Sequence, residues 1–338
     1  MINSTSGAQR NSFAAVKRLR YLQRIFAAYL TSARSHLTFW HEIPETNVNF
    51  HPYELGEYYM TFTSKADYSG EYDEKGIPLL NYHGKVGLQY NPIAIAQYGL
   101  GNYNLFCRYK NEDRYSKFLT VADWMVDNIE RNSVGLWVWN HHFDWEYRTP
   151  LKAPWYSALS QGQGISVLVR AYKETGNQIY LDTTQKVFET YLKTIDEGGV
   201  TYVDGQGYLW FEETIVDPPT HILNGFIWAL WGIYDYALST GTDEAQKLFD
   251  SGVHTLQENL KNFDIGFWSL YEQSGTRMKM LASPFYHSLH IVQLRVMYRL
   301  TSEDIFAEYA NRWEAYRGNL IKRNLALTYK ALFKLMYY

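Results

Sequence analysis

The sequence predicts a mainly α protein, an incomplete α/α toroid, on three observations. Helical periodicity fills most of the chain from Asn91 onward, the helices come in pairs, and the pairs repeat every 63–66 residues. The pairs read as 92–108 with 114–131, 157–175 with 179–194, 220–240 with 243–261, and 284–300 with 303–318. Their starts near Asn91, Ser157, Thr220 and Ser283 are spaced by 66, 63 and 63 residues. Four pairs leave the ring incomplete, closed partly by an N-terminal helix and by a last helix at about 320–336.

Start signals support the helices. Asn91-Pro92 and Ser283-Pro284 each set a capping side chain before a proline, whose missing N–H costs nothing at the first helical position. Between pairs, the segments 135–147, 199–211 and 266–274 are rich in Gly, aromatic and β-branched residues and read as β-hairpins inserted in the repeat. Residues 46–90 differ: they are Tyr-rich, carry Gly56, Gly70, Gly76 and Gly84, and alternate over 58–63, which predicts a short β-rich segment, a small sheet or a flap over one mouth of the toroid. The expected organisation is therefore an amphipathic helix and linker over 1–45, the β-rich segment over 46–90, and the toroid over 91–338.

A chain of 338 residues supports a large core without disulfides, and the single Cys107 has no partner in the chain. The net charge of −3 lacks the basic footprint of a nucleic-acid binder. No apolar run reaches membrane-spanning length, and no signal-peptide pattern opens the sequence, so the expected location is the cytoplasm. Within 9–35, Arg10, Lys17, Arg18, Arg20, Arg24 and Arg34 alternate with apolar residues, a basic amphipathic helix suited to packing on the body or resting at a membrane periphery. Aromatic residues make up 17% of the chain, enough to place rings on walls as well as in the core; Tyr and Trp match the apolar faces and polar edges of sugars.

Metal, nucleophile and phosphate motifs are missing: no HExxH, no Cys cluster, no GxSxG and no Walker A sequence. The run 67–74 lacks a diagnostic calcium-ligand spacing, and His287 with His290 would need further ligands to hold zinc. No metal or cofactor is therefore expected. The first helices carry Gln97, Gln161, Asn224 and His287 at matching repeat positions, so polar groups recur at one level of the ring, either bonded between helices or lining a central cavity. Carboxylates and phenols gather where hairpins feed the inner helices: Glu212-Glu213 before Pro218-Pro219, Tyr271 in the next hairpin, and Tyr286 one turn into the fourth inner helix. The repeat brings Glu213, Tyr271 and Tyr286 to one rim.

At these residues the sequence resembles the D-glucuronyl C5-epimerases of heparan sulfate and heparosan biosynthesis. The matching segments are GIPLLN at 76–81, YNPIAIAQYGL at 90–100, WYSALSQGQ at 155–163, VRAY at 169–172, the pair Glu212-Glu213, LNGF at 223–226, YHSLH at 286–290 with QL at 293–294, and RWE at 312–314. The resemblance implies a C-terminal α/α toroid and proton transfer at C5 of a chain-internal uronate, turning glucuronate into iduronate without redox chemistry. It carries the acid-base roles to Glu213, Tyr271 and Tyr286. The implied partner is an acidic polysaccharide, with no nucleic acid and no stable membrane insertion, and a homodimer is compatible with it. The charge that develops on the substrate carboxylate needs fixed donors. Gln161, Gln163, Asn224, His287 and His290 are the polar candidates, with Arg170 and Arg277 as cations, while Gln97, Tyr90, Tyr98 and Tyr156 would complete the sugar subsites.

Two positions depart from the family pattern. Thr214 stands where the family has a tyrosine, and Ser274 where it has an arginine, which leaves the substrate polymer and its sulfation open. Two other readings remain. A polysaccharide lyase or uronyl hydrolase would share the uronate chemistry, a lyase even the first proton abstraction, and a non-catalytic polysaccharide-binding protein would share only the cavity.

Overall fold

The computed structural model describes residues 39, 42–82, 84–145 and 149–337. The basic amphipathic helix expected over 9–35 lies outside the described residues. Four helical hairpins follow one another: α1 (Pro92–Tyr109) with α2 (Glu112–Asp127), α3 (Ala158–Thr175) with α4 (Gln178–Phe188), α5 (Leu223–Thr240) with α6 (Asp243–Asn259), and α7 (Pro284–Thr301) with α8 (Asp304–Gly318). A last helix, α9 (Leu320–Tyr337), packs on α8. Among the described residues no helix is long and apolar enough to cross a membrane.

The caps fall where the side chains predict them. Asn91 Oδ1 accepts from the backbone N–H groups of Ile93 and Ala94, and the hydroxyls of Ser157 and Ser283 accept from Ser160 and Tyr286. The third inner helix starts at Leu223 rather than near Thr220, because the Thr220 carbonyl accepts from Gln273 N–H at 2.7 Å and cannot open a helical ladder.

The first helix of each pair forms the inner wall of an incomplete α/α toroid. Each packs on its own hairpin partner and on the next inner helix: α1 on α3, α3 on α5, α5 on α7. The α3–α5 crossing is the tightest, and glycine permits it. A Cβ on Gly232 would sit 2.3 Å from the Cα of Gly162, and one on Gly162 would sit 2.9 Å from the Cα of Ala229. The first three inner helices are buried almost all round, their few polar side chains included.

Short antiparallel pieces join the pairs: β4 (Glu130–Arg131) with β5 (Trp137–Val138), and β6 (Thr201–Val203) with β7 (Leu209–Phe211). The third expected hairpin, over 266–274, does not form as a ladder. Only single bridges join Asp264 to Ser269 and Leu270 to Leu281, since Trp268 turns fully inward and its indole N–H donates to Ala282 O at 3.0 Å. Each connection stacks a histidine on a tryptophan: His141 on Trp155, His221 on Trp210, His287 on Trp268, with ring centroids 3.9, 4.3 and 3.8 Å apart.

Before the toroid, a three-stranded antiparallel sheet of β1 (Glu71–Tyr72), β2 (Pro78–Asn81) and β3 (Leu88–Gln89) follows a helical turn, Thr63–Ala66. The expected strand over 58–63 is corrected: it makes a single bridge, Thr46 to Met60, and then turns helical. Tyr58, Tyr59, Met60 and Phe62 are all buried, so the segment lies on the core instead of alternating between core and water. Asn104 supplies hydrogen bonds that a partner strand would supply, accepting from Tyr58 N–H at 2.6 Å and donating to Met60 O at 2.8 Å.

This segment crosses the carboxyl-terminal ends of all four inner helices. Arg299 of α7 donates to the carbonyls of Asn47 and Phe50, Tyr234 of α5 to Pro52, Arg170 of α3 to Gly56, and Asn104 of α1 to Met60 and Thr61. Beneath it lies a buried ion pair: Arg170 Nη1 is 2.6 Å and Nη2 3.1 Å from the two Asp235 oxygens, and the Tyr59 hydroxyl donates to the same carboxylate at 2.7 Å. Arg170 is 1% exposed, so its charge is spent inside the fold. Arg170→Met, which leaves Asp235 buried and unpaired, is expected to cost about 3–5 kcal/mol in a urea titration, with Arg170→Met/Asp235→Leu recovering most of it. A substrate role for Arg170 would instead show as lost polysaccharide affinity in the stable double variant.

Candidate active site

A cavity of about 290 Å³ opens at the amino-terminal ends of the inner helices. Its wall takes Asn91 and Ile93 from the start of α1, Ser157 and Leu159 from α3, Asn224 from α5, and Phe285 and Tyr286 from α7. Each helix start carries roughly half a positive charge on its unpaired N–H groups, so four of them converge on a space that favours an anion.

Glu213 reaches this space from the loop after β7. The neighbouring Glu212 points the other way and is buried against His221, whose Nδ1 is 2.5 Å from its carboxylate. Glu213 instead lies along the first turn of α5, where Asn224 Nδ2 donates to its Oε2 at 3.3 Å. Gly225 makes room: a Cβ there would be 2.2 Å from Glu213 Oε2 and 2.6 Å from Glu213 Cβ. Burial first, then the nearby Glu272 and Glu212 carboxylates, push the Glu213 carboxyl up to about 8, against the opposing hydrogen bond from Asn224. Its working range therefore falls near neutrality.

Tyr286 stands beside it, and its ring meets that of Tyr271 edge-on with centroids 4.8 Å apart. Burial and the Glu213 charge hold the Tyr286 phenol well above its ordinary value, while Tyr271 pulls it down by a hydrogen bond. The Tyr286 phenol thus keeps its proton at physiological pH. Glu213, Tyr271 and Tyr286 line one cavity together, as the repeat predicts.

Of the expected substrate-binding residues, Gln97 and Asn224 line the cavity. Gln97 Oε1 and Asn224 Oδ1 are buried there without a hydrogen-bond partner. Trp228, which sequence reasoning missed, joins them with an unpartnered indole N–H, one turn beyond Asn224. Two acceptors and one donor left without a protein partner match what sugar hydroxyls offer. Trp145, Trp155 and Phe143 add apolar wall, with Tyr82 held at the Asn91 amide by a 2.6 Å hydrogen bond.

The remaining expected binders stand off the cavity wall. Gln161 accepts from Trp139 N–H and donates to Ser157 O, and Gln163 accepts from Gln97, both wholly buried. His287 donates from Nε2 to the Trp313 carbonyl and accepts at Nδ1 from Ser269, and His290 meets the same Ser269 hydroxyl; burial pushes both imidazoles down, so they are neutral struts between helices. Tyr90 bonds Asp73, Tyr98 packs edge-on to Tyr72, and Tyr156 donates to Gly198 O. Arg277 is exposed on the loop between Leu270 and Leu281, and Arg170 belongs to the opposite end. Thr214 lines the cavity, 3.2 Å from the Thr220 hydroxyl, whereas Ser274 borders a separate pocket of about 260 Å³ with Asp217 and Thr220.

The family described as D-glucuronyl C5-epimerase C-terminus matches residues 131–315. A D-glucuronyl C5-epimerase of Caenorhabditis elegans is 30% identical over 234 residues, 64% of this chain but 37% of that protein, so the chain spans well under half of that relative. An uncharacterized protein of Methanocaldococcus jannaschii is 28% identical over 215 residues, 60% of this chain and 68% of its own. Among solved structures, the cellobiose 2-epimerase of Spirochaeta thermophila superposes with a TM-score of 0.48 at 11% identity, covering 88% of this chain and 84% of its own.

The Gly225 contact gives a direct test of the site. Gly225→Ala is expected to displace the Glu213 carboxylate from the first turn of α5 and to cost on the order of 10²-fold in kcat, as misplacement of a reacting group by about 1 Å does. The helical content by circular dichroism should stay unchanged. Undiminished turnover by the folded variant would remove Glu213 from the chemistry.

Proposed function

We propose, from the premise that the chain belongs to the D-glucuronyl C5-epimerase family, that it inverts C5 of glucuronate residues within a heparosan-like polysaccharide, giving iduronate. The observation that carries this is a carboxyl with a near-neutral pKa and a neutral phenol on the wall of one cavity, at the amino ends of four helices. The Glu213 carboxylate takes the C5 proton, and the electron pair left at C5 spreads into the substrate carboxylate. The Tyr286 hydroxyl returns a proton from the other face, with Tyr271 hydrogen-bonded to the phenolate that results. The proton gained by Glu213 passes back to Tyr286 between turnovers, so no electrons leave the substrate. Gln97, Asn224 and Trp228 hold the ring hydroxyls, and the helix ends favour the uronate over a neutral sugar.

The test is incubation with heparosan in D₂O, with deuterium at C5 followed by NMR beside ultraviolet absorbance and chain length. Deuterium with iduronate signals and intact chains is expected. Shorter chains with ultraviolet-absorbing ends would identify a lyase, and no exchange on any glucuronate polymer would leave a binding protein. Glu213→Gln is expected to lower exchange about 10²–10⁴-fold.

The raised pKa of Glu213 predicts two opposite pH dependences. Its base form grows as pH rises, so kcat/KM should climb about tenfold per unit through pH 6–7 and level off above about 8. Folding stability runs the other way. The proton is bound more tightly in the native state than in the unfolded one, so this stabilisation is complete below about 4.5 and is lost as pH rises through about 8. Glu213→Gln should therefore raise Tm at pH 9 by about 2 °C or more relative to its effect at pH 5, read by calorimetry.

A further inference from the structure

The proposed reaction loads a second negative charge onto a carboxylate that is already anionic, and fixed donors, a cation foremost among them, would stabilise it there. The arginines Arg170 and Arg277 stand away from the cavity wall. Lys65 is on it. It belongs to the helical turn Thr63–Ala66, its side chain is 5% exposed, and it is the one lysine or arginine on the wall among the described residues, shared with Glu213, Asn224, Tyr271 and Tyr286.

We infer that Lys65 Nζ receives the carboxylate of the substrate uronate and holds the charge that accumulates on it when the C5 proton leaves. The inference rests on the epimerase reading for the second half of that role and on the cavity alone for the first.

The surroundings of Lys65 suit the task. Its ammonium donates to Phe39 O at 2.7 Å and lies 4.4 Å from the Phe39 ring centroid and 5.7 Å from that of Phe62. These contacts aim the stem and surround it with apolar groups, where a charge pair is screened far less than in water. The Glu42 Oε1 oxygen is 3.8 Å away, at Coulombic rather than hydrogen-bond distance, and Glu42 is itself engaged by the Ser64 hydroxyl. Burial holds the Lys65 pKa down at about 8 despite Glu42, and raises that of Glu42 despite Lys65, so the two do not fully offset each other's desolvation. A substrate carboxylate brought to Nζ stabilises the charged lysine further. The same contact selects for the acid: a glucose residue in place of glucuronate offers no charge there.

The experiment compares heparosan with carboxyl-reduced heparosan on wild type, Lys65→Met and Lys65→Arg, reading Kd by calorimetry and C5 deuterium exchange by NMR. Wild type is expected to bind heparosan at least tenfold more tightly than the reduced polymer. Lys65→Met should lose that preference and about 10²–10³-fold in kcat/KM, while Lys65→Arg should keep the preference and exchange within about tenfold of wild type. An unchanged preference in folded Lys65→Met overturns the inference, as does loss of exchange in Lys65→Arg with the preference intact, which would make the lysine a proton carrier. Wild type that shows the preference without exchange sinks the epimerase reading alone and leaves the carboxylate contact standing. Should Lys65→Met fail to fold, reductive methylation of wild type followed by mass spectrometry decides. Heparosan is expected to slow dimethylation of Lys65 at least tenfold relative to the carboxyl-reduced polymer, and equal rates refute the contact.

Discussion

Because each helical hairpin returns the chain to the side it left, α1, α3, α5 and α7 run in one direction around the arc, and the two ends of the toroid acquire opposite electrostatics. Unpaired N–H groups gather at one end and unpaired carbonyls at the other. The amino end holds the cavity and its carboxyl group, Glu213, seated on the first turn of α5. The carboxyl end holds cations, Arg108 and Arg299 in the last turns of their helices and Arg170 a turn further in, and these draw the 47–62 segment across it through its backbone carbonyls and Glu57. One orientation rule thus places both the site and the closure beneath it.

The same buried setting explains why neighbouring polar residues have different fates. Glu212 and Glu213 differ by one position, so on an extended chain they face opposite sides. Glu212 meets His221 and is absorbed into the structure, whereas Glu213 meets only an amide and two further carboxylates and keeps a proton close to neutral pH. His287 and His290 share a helix face, burial keeps both neutral, and they serve as links among Ser269, Trp313 and Trp268. A side chain is available for chemistry here when the fold leaves its polar atoms facing the cavity without a protein partner, as with Gln97 Oε1 and Asn224 Oδ1. A carbohydrate epimerase or a related enzyme, as the family places this chain, needs such atoms.

Much of the fold is legible along the chain because helix periodicity, capping residues and the 63–66-residue repeat are local patterns that need no distant partner. Asn91, Ser157 and Ser283 cap as their side chains dictate, and the repeat alone brings Glu213, Tyr271 and Tyr286 to one rim. Gln97 and Asn224 line the cavity at that register, while Gln161 and His287, at the same repeat positions, are bonded into the structure. The failures share a different character. The alternation at 58–63 suggests a strand, but it pairs with 45–47 through only two backbone hydrogen bonds, Asn104 takes those of Tyr58 and Met60 from more than forty residues away, and its rings are buried on both sides. Lys65 carries no local mark that separates it from any other lysine on a short turn.

The sequence by itself determined the helices, their pairing, the repeat and the rim on which the acid and the phenols meet, since these follow from spacing and from the chemistry of neighbours in the chain. Only the tertiary structure decided which polar groups are consumed. Arg170 is neutralised by Asp235, 65 residues further on, Gln161 is satisfied by the backbone of Trp139, and Lys65 is carried to the wall of the cavity that Glu213 also lines. A buried charge or amide takes its role from the partner that desolvation forces it to find, and that partner is fixed by the closure of the ring rather than by adjacent residues.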